Sequence, residues 1–144
     1  MRILLPLLLL ITITAQAAGP GKNAVASAHP LATEAGMEIL KQGGNAYDAA
    51  IAVAAALAVV EPYSAGMGGG GFWLLHRESD GLQTFVDARE TAPDAAIPTM
   101  YQDRDGKVVR DWALNGPSAA GILGQAAAFV HLAENYGKLP LKTS

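Results

Sequence analysis

Between Ala49 and Val60 the chain carries no polar side chain, and this run decides most of what can be built around it. A helix apolar on every face has to be buried on every face. The run is too short to span a bilayer, which takes about 20 apolar residues, and its alanines let neighbouring layers approach closely. Asn45 supplies a start, because its side-chain oxygen can accept an N–H of the first turn, and Asp48 stands at the capping-box position. Glu61-Pro62 supplies the end, since proline pushes its predecessor out of helical geometry.

The flanking segments complete an alternating pattern. Ala24–Ala28 is short, small and apolar, as a buried strand would be. Pro30 sits where a first helical residue belongs, Leu31, Ala35 and Ile39 recur at i+4 with Leu40 beside them, and Lys41-Gln42-Gly43-Gly44 gives a basic last turn and a glycine stop. This predicts a helix over 30–42. After the glycine run 66–71, the β-prone stretches 72–77 and 82–88 flank Asp80-Gly81, the turn signal of a hairpin. Residues 91–117 are proline-punctuated and loop-like, with a second turn signal at Asp105-Gly106. A last helix is expected over 124–136, where Ala127, Val130 and Glu134 follow helical spacing and Gly137 stops it before Pro140. The order strand, two helices, two strands, loop, helix reads as α/β (α+β) layers with at least one antiparallel pair.

The first residues differ in kind. Met1-Arg2, the apolar run Ile3–Ile13 and the small residues Thr14–Ala18 have the layout of a secretory signal peptide over 1–17, cleaved near Ala17 or Ala18. An uncleaved anchor is the alternative. Residues 18–144 then form one incomplete domain that is exported, to the periplasm or beyond. With 51% hydrophobic and 16% charged residues, the chain is one that folds. Its net charge of −3, without a block of like charges, excludes nucleic acid as a partner. The absence of cysteine excludes a disulfide framework, a thiol nucleophile and thiolate metal ligands.

The run Gly66-Met67-Gly68-Gly69-Gly70-Gly71 invites a phosphate-loop reading, but such loops lead from a strand into a helix whose N-terminus holds the anion. Here a helix enters, a strand leaves, and no Gly-Lys-Ser/Thr follows. The glycines instead permit a tight backbone path, by φ > 0 or by close approach, either to pack the hairpin entry or to face a ligand. Asp87-Ala88-Arg89-Glu90 is the most informative tetrapeptide, because a guanidinium at a strand end can offer two parallel N–H donors to a carboxylate. Read from the residues alone, Arg89 is either such a clamp or a salt-bridge partner of Asp87 or Glu90, and Glu90 is an orienting partner or a surface carboxylate. His29, His76 and His131 lack metal-ligand spacing and are expected at a helix end, a strand face and a helix face, so no metal is implied. Ser27, Ser64 and Ser118 lack a nucleophile-elbow context. Glu34 and Glu38, one helical turn apart, describe a solvated face.

Taken together, the segments 24–75, VDARETAP (86–93) and AENYGKLPL (133–141) resemble the start of the large subunit of γ-glutamyltransferases, also called glutathione hydrolases. The most specific elements are GGNAYDAAIAVAAALAVVEP (43–62) joined to GMGGGGF (66–72), then DARE at 87–90. The resemblance implies a partial αββα sandwich of the N-terminal-nucleophile hydrolase type, made as a precursor that cuts itself so that a threonine begins the small subunit. It implies that Arg89 holds the α-carboxylate of the γ-glutamyl group of glutathione and related amides, with Glu90 orienting it, and it implies no cofactor. The nucleophile and the remaining contacts would lie in the C-terminal part and small subunit, so that no catalytic residue is assigned here, Thr143 included. The 144-residue chain alone is expected to be inactive. Leu123 stands where the family usually has proline.

A second reading is an exported, non-catalytic binding protein that keeps the carboxylate-anchoring arginine. A nucleotide-binding protein would require a helix starting at Phe72, against the β preference of Phe-Trp-Leu-Leu.

Overall fold

A computed structural model describes residues 21–144; the leader expected over 1–17, and its cleavage site, lie outside the described residues. Among the described residues there are three helices and one antiparallel hairpin: α1 (Pro30–Lys41), α2 (Ala46–Val60), β1 (Gly71–Arg77), β2 (Leu82–Ala88) and α3 (Gln125–Asn135). Two short 3-10 turns, Arg110–Ala113 and Pro117–Ala119, interrupt the long loop before α3. α2 and α3 cover one face of the hairpin, and α1 packs on α2.

Local chemistry explains each boundary. His29 precedes Pro30 and accepts the amide of Leu31 on Nδ1 at 3.2 Å. Asn45 and Asp48 close a reciprocal capping box: the Asn45 side chain accepts the amides of Tyr47 and Asp48, and Asp48 accepts the amide of Asn45 at 2.8 Å. At the hairpin turn Arg77 grips Asp80 through Nε at 3.0 Å and Nη2 at 2.7 Å, and Gly81 takes φ 68°. The register pairs Trp73 with Val86 and Leu75 with Thr84 on the inner face, and Phe72 with Asp87 and Leu74 with Phe85 on the outer. Alternation of a strand's side chains does the sorting: Leu75 is 6% exposed and Leu74 83%.

The core is small. Tyr47 and Ile51 from α2, Leu75 and Ala88 from the hairpin, and Ala128, Phe129 and Leu132 from α3 form one cluster, with Trp73 edge-on to Phe129 at 5.9 Å. The buried face of α3 is therefore 128/129/132, one position off the Ala127–Val130–Glu134 stripe, whose members are exposed. In α1 the buried set is Ala32, Gly36 and Ile39, while Leu31 is exposed. Small residues win that face because α1 lies close on α2: a methyl added at Gly36 would stand 2.7 Å from Val53.

Two further expectations change. Ala24–Ala28 belongs to no strand, because the sheet of the described residues contains only β1 and β2. It lies instead along α2, bordering an apolar groove of about 560 Å³ with Ala46, Ala50, Val53 and Leu57. Nor is α2 buried all round. Its first half is clamped, with Tyr47, Asp48, Ala49, Ile51 and Ala52 buried, but Val53–Val60 is partly open and Val59 is 79% exposed. No helix among the described residues is long and apolar enough to cross a membrane.

Candidate functional site

The end of β2 is held by glycines from two directions. Gly70, entering β1, packs on the backbone of residues 88–90: a methyl there would lie 2.8 Å from Arg89 Cα and 2.8 Å from the Glu90 amide nitrogen, and closer still to the Ala88 carbonyl oxygen. Gly124, at the head of α3, meets the same Ala88 carbonyl from the other side, with Arg89 O only 2.7 Å from where its methyl would be. No L side chain fits in either gap. The glycine run itself contains no positive φ, so close approach, not left-handed backbone, is what these positions require.

The run also closes the junction by hydrogen bonding. The Gly69 carbonyl accepts the amides of Gly124 at 3.3 Å and Gln125 at 3.1 Å, two of the orphan donors at the start of α3. Thr91 and Ile122 exchange amide-to-carbonyl bonds of 3.1 and 2.8 Å, which pins the Gly-Ile-Leu-Gly segment around Leu123 beside the strand end. The helix N-terminus is thereby occupied by protein backbone, and the chain passes from α2 through the glycines into β1, the reverse of a phosphate loop.

Arg89 projects from this junction. Asp87 does not pair with its guanidinium; its Oδ1 accepts the Arg89 backbone amide at 2.9 Å. The closest carboxylate contact of the guanidinium is Nε to Glu90 Oε2 at 3.5 Å, a loose ion pair, and Cζ stands 5.7 Å over the ring of Phe72. The Arg89 side chain is 64% exposed and hydrogen-bonds to no described residue. Its donors therefore remain open to a planar anion. Glu90 is about one-third exposed and stands between two loops: its Oε1 would be 3.2 Å from a methyl at Gly69 and its Cβ 2.9 Å from one at Gly121. It borders an open hollow of about 430 Å³ with Ser64, Ala65 and the glycines. Next to Pro62, which lines this hollow, the Glu61 carboxyl is held below its usual value by hydrogen bonds from Tyr63 first and Ser64 second.

The histidines take the places expected of them. His29 caps α1, His76 sits on the outer strand face with Nε2 3.0 Å from Glu78, and His131 lies on the exposed face of α3. Glu34 and Glu38 are solvated. Sequence reasoning gave Gly121 and Gly124 no role and placed Phe72 only within a β-prone stretch.

The family described as Gamma-glutamyltranspeptidase matches residues 32–144 of this sequence. The chain belongs to the γ-glutamyltranspeptidase family. It is 44% identical over 119 residues to the glutathione hydrolase proenzyme of Pseudomonas sp. (strain A14), covering 83% of this chain and 20% of that protein. Among solved structures it is similar to γ-glutamyltranspeptidase from Pseudomonas nitroreducens complexed with L-DON, with a TM-score of 0.76 and 42% identity over 81% of this chain and 34% of the other. The γ-glutamyltranspeptidase of Helicobacter pylori gives a TM-score of 0.77 and 41% identity, over 85% and 36%. Its layers are thus part of the N-terminal-nucleophile hydrolase fold of the family. The chain spans about a fifth of the length of the Pseudomonas sp. (strain A14) relative.

Proposed function

We propose that this γ-glutamyltranspeptidase chain supplies the carboxylate-anchoring part of an enzyme that cleaves or transfers γ-glutamyl groups of glutathione and related amides. Arg89 holds the α-carboxylate and Glu90 orients the guanidinium. The observation that carries this reading is the open guanidinium at a strand end whose backbone is locked by Gly70 and Gly124. A fixed anchor converts binding energy into alignment of the scissile amide, which is how a site remote from the reacting atoms speeds the reaction. A threonine hydroxyl outside this chain attacks the γ-carbonyl, the amine leaves with a proton, and water or an acceptor amine releases the γ-glutamyl group from the resulting ester. Membership in a family whose relatives include glutathione hydrolase proenzymes supports a precursor that is cut before it acts on glutathione. The protein is exported, with a leader removed near Ala17 or Ala18; N-terminal sequencing of the mature protein checks that part.

The test is a polypeptide of family length in which the 119 matched residues of this chain replace their counterparts in the Pseudomonas sp. (strain A14) protein. It should self-cleave and release p-nitroaniline from γ-glutamyl-p-nitroanilide, while the 144-residue chain alone should release none. A folded, self-cleaved hybrid without activity would overturn the proposal.

A further inference from the structure

We propose that Phe72 is a positioning residue for Arg89, its ring serving as the platform that holds the guanidinium over the outer face of the hairpin. The inference rests on the reading of Arg89 as a carboxylate anchor and adds the group that aims it.

Register places the two side chains together. Phe72 pairs with Asp87, and Arg89 lies two residues beyond Asp87, so alternation sends all three to the outer face. Asp87 fixes the Arg89 backbone by accepting its amide. The guanidinium then folds back until Cζ is 5.7 Å from the Phe72 ring centroid, within the range at which the negative ring face attracts a cation. Phe85, across the pair from Leu74, braces the ring at a centroid distance of 5.4 Å. Glu90 approaches Nε at 3.5 Å. The guanidinium thus stands over an aromatic ring and its Nε side is faced by a carboxylate, leaving the terminal nitrogens as the edge that meets a substrate carboxylate.

The side chain at this position suits that role. Phe72 is 58% exposed, so it contributes little to the core, and a leucine would cover the same strand surface. Only an aromatic ring has the quadrupole that a planar cation stacks on. The ring acts through Arg89 and touches no reacting atom.

Two readouts test this. In the 144-residue chain, the Arg89 side-chain NMR signals should be shifted upfield by the ring, lose that shift in Phe72→Leu and keep it in Phe72→Tyr. In the family-length polypeptide, Phe72→Leu should raise KM for γ-glutamyl-p-nitroanilide about 3- to 30-fold, the range of an exposed to a desolvated cation–ring contact. There kcat should change less than KM, Phe72→Tyr should restore KM, and Phe72→Leu should add nothing in an Arg89→Ala background. A Phe72→Leu effect of equal size with and without Arg89 would show a merely structural role and overturn the proposal, as would unshifted Arg89 signals. Shifted signals with a KM indifferent to Arg89→Ala would leave Phe72 as the platform and sink the carboxylate reading instead.

Discussion

Both carboxylate oxygens of Asp48 accept the backbone amide of Lys138, at 3.2 and 3.0 Å, across 90 residues of chain. Oδ1 also reaches the Leu139 amide at 3.4 Å, and the neighbouring Asn45 side chain donates to Tyr136 O at 2.7 Å. A cap for α2 is therefore also the clasp for the segment after α3. Asp48 is fully buried, so its carboxylate depends on these amides for its hydrogen bonds.

Asp48→Ala should accordingly cost about 2–4 kcal/mol, a lost cap plus part-buried amides that lose their acceptor. Denaturant unfolding of the chain checks this. A cost no greater than that of an exposed cap would contradict the clasp.

Glycine substitutions should separate two positions of the same run. Gly70→Ala forces a methyl onto the backbone at Ala88–Glu90, whereas at Gly68 no atom lies within 4 Å of the added carbon. In the family-length polypeptide, Gly70→Ala should lower kcat/KM by at least about tenfold through misplacement of Arg89, and Gly68→Ala should leave it within about twofold. Equal tolerance at both sites would mean that the junction does not hold Arg89.

Much of this was legible in the sequence, and the limits are instructive. The capping box at Asn45/Asp48, the Asp80-Gly81 hairpin and the helix boundaries are set by short-range chemistry, which a sequence displays directly. Which face of a helix is buried is not: Ala32 and Gly36 displaced Leu31 in α1 because α2 passes so near, and nothing within α1 announces that neighbour. Likewise, Ala24–Ala28 has strand composition but finds no strand to pair with among the described residues. At the site, Arg89 and Glu90 stood out by charge and motif. The clamp from Gly124 and the platform at Phe72 depend on elements brought together only by folding, so spacing could not reveal them.

Adjacent leucines on β1 should respond oppositely. Leu75→Ala removes a core side chain and should cost about 2–4 kcal/mol, while Leu74→Ala should stay within about 0.5 kcal/mol, as for an exposed position. The reverse order in unfolding experiments would mean that the register is shifted by one residue.

The hairpin turn should titrate with a definite sign. Hydrogen bonding by Arg77, then by the Leu82 amide, lowers the Asp80 carboxyl below its usual value. A carboxyl depressed in the folded state contributes stability above its unfolded value, and that contribution fades as pH falls through the lowered one. Both side chains are solvent-screened, so the effect is small and local. The Leu82 amide signal should move with an inflection below the ordinary aspartate range; an inflection at or above it would rule out the pair.

The account stands on Arg89 as the carboxylate anchor. The direct measurement is steady-state kinetics of Arg89→Ala in the self-cleaved, family-length polypeptide with γ-glutamyl-p-nitroanilide. Loss of a bidentate, charge-assisted contact of about 3–4 kcal/mol should lower kcat/KM roughly 10²- to 10³-fold. A variant that self-cleaves and keeps kcat/KM within twofold of the parent would contradict the central claim.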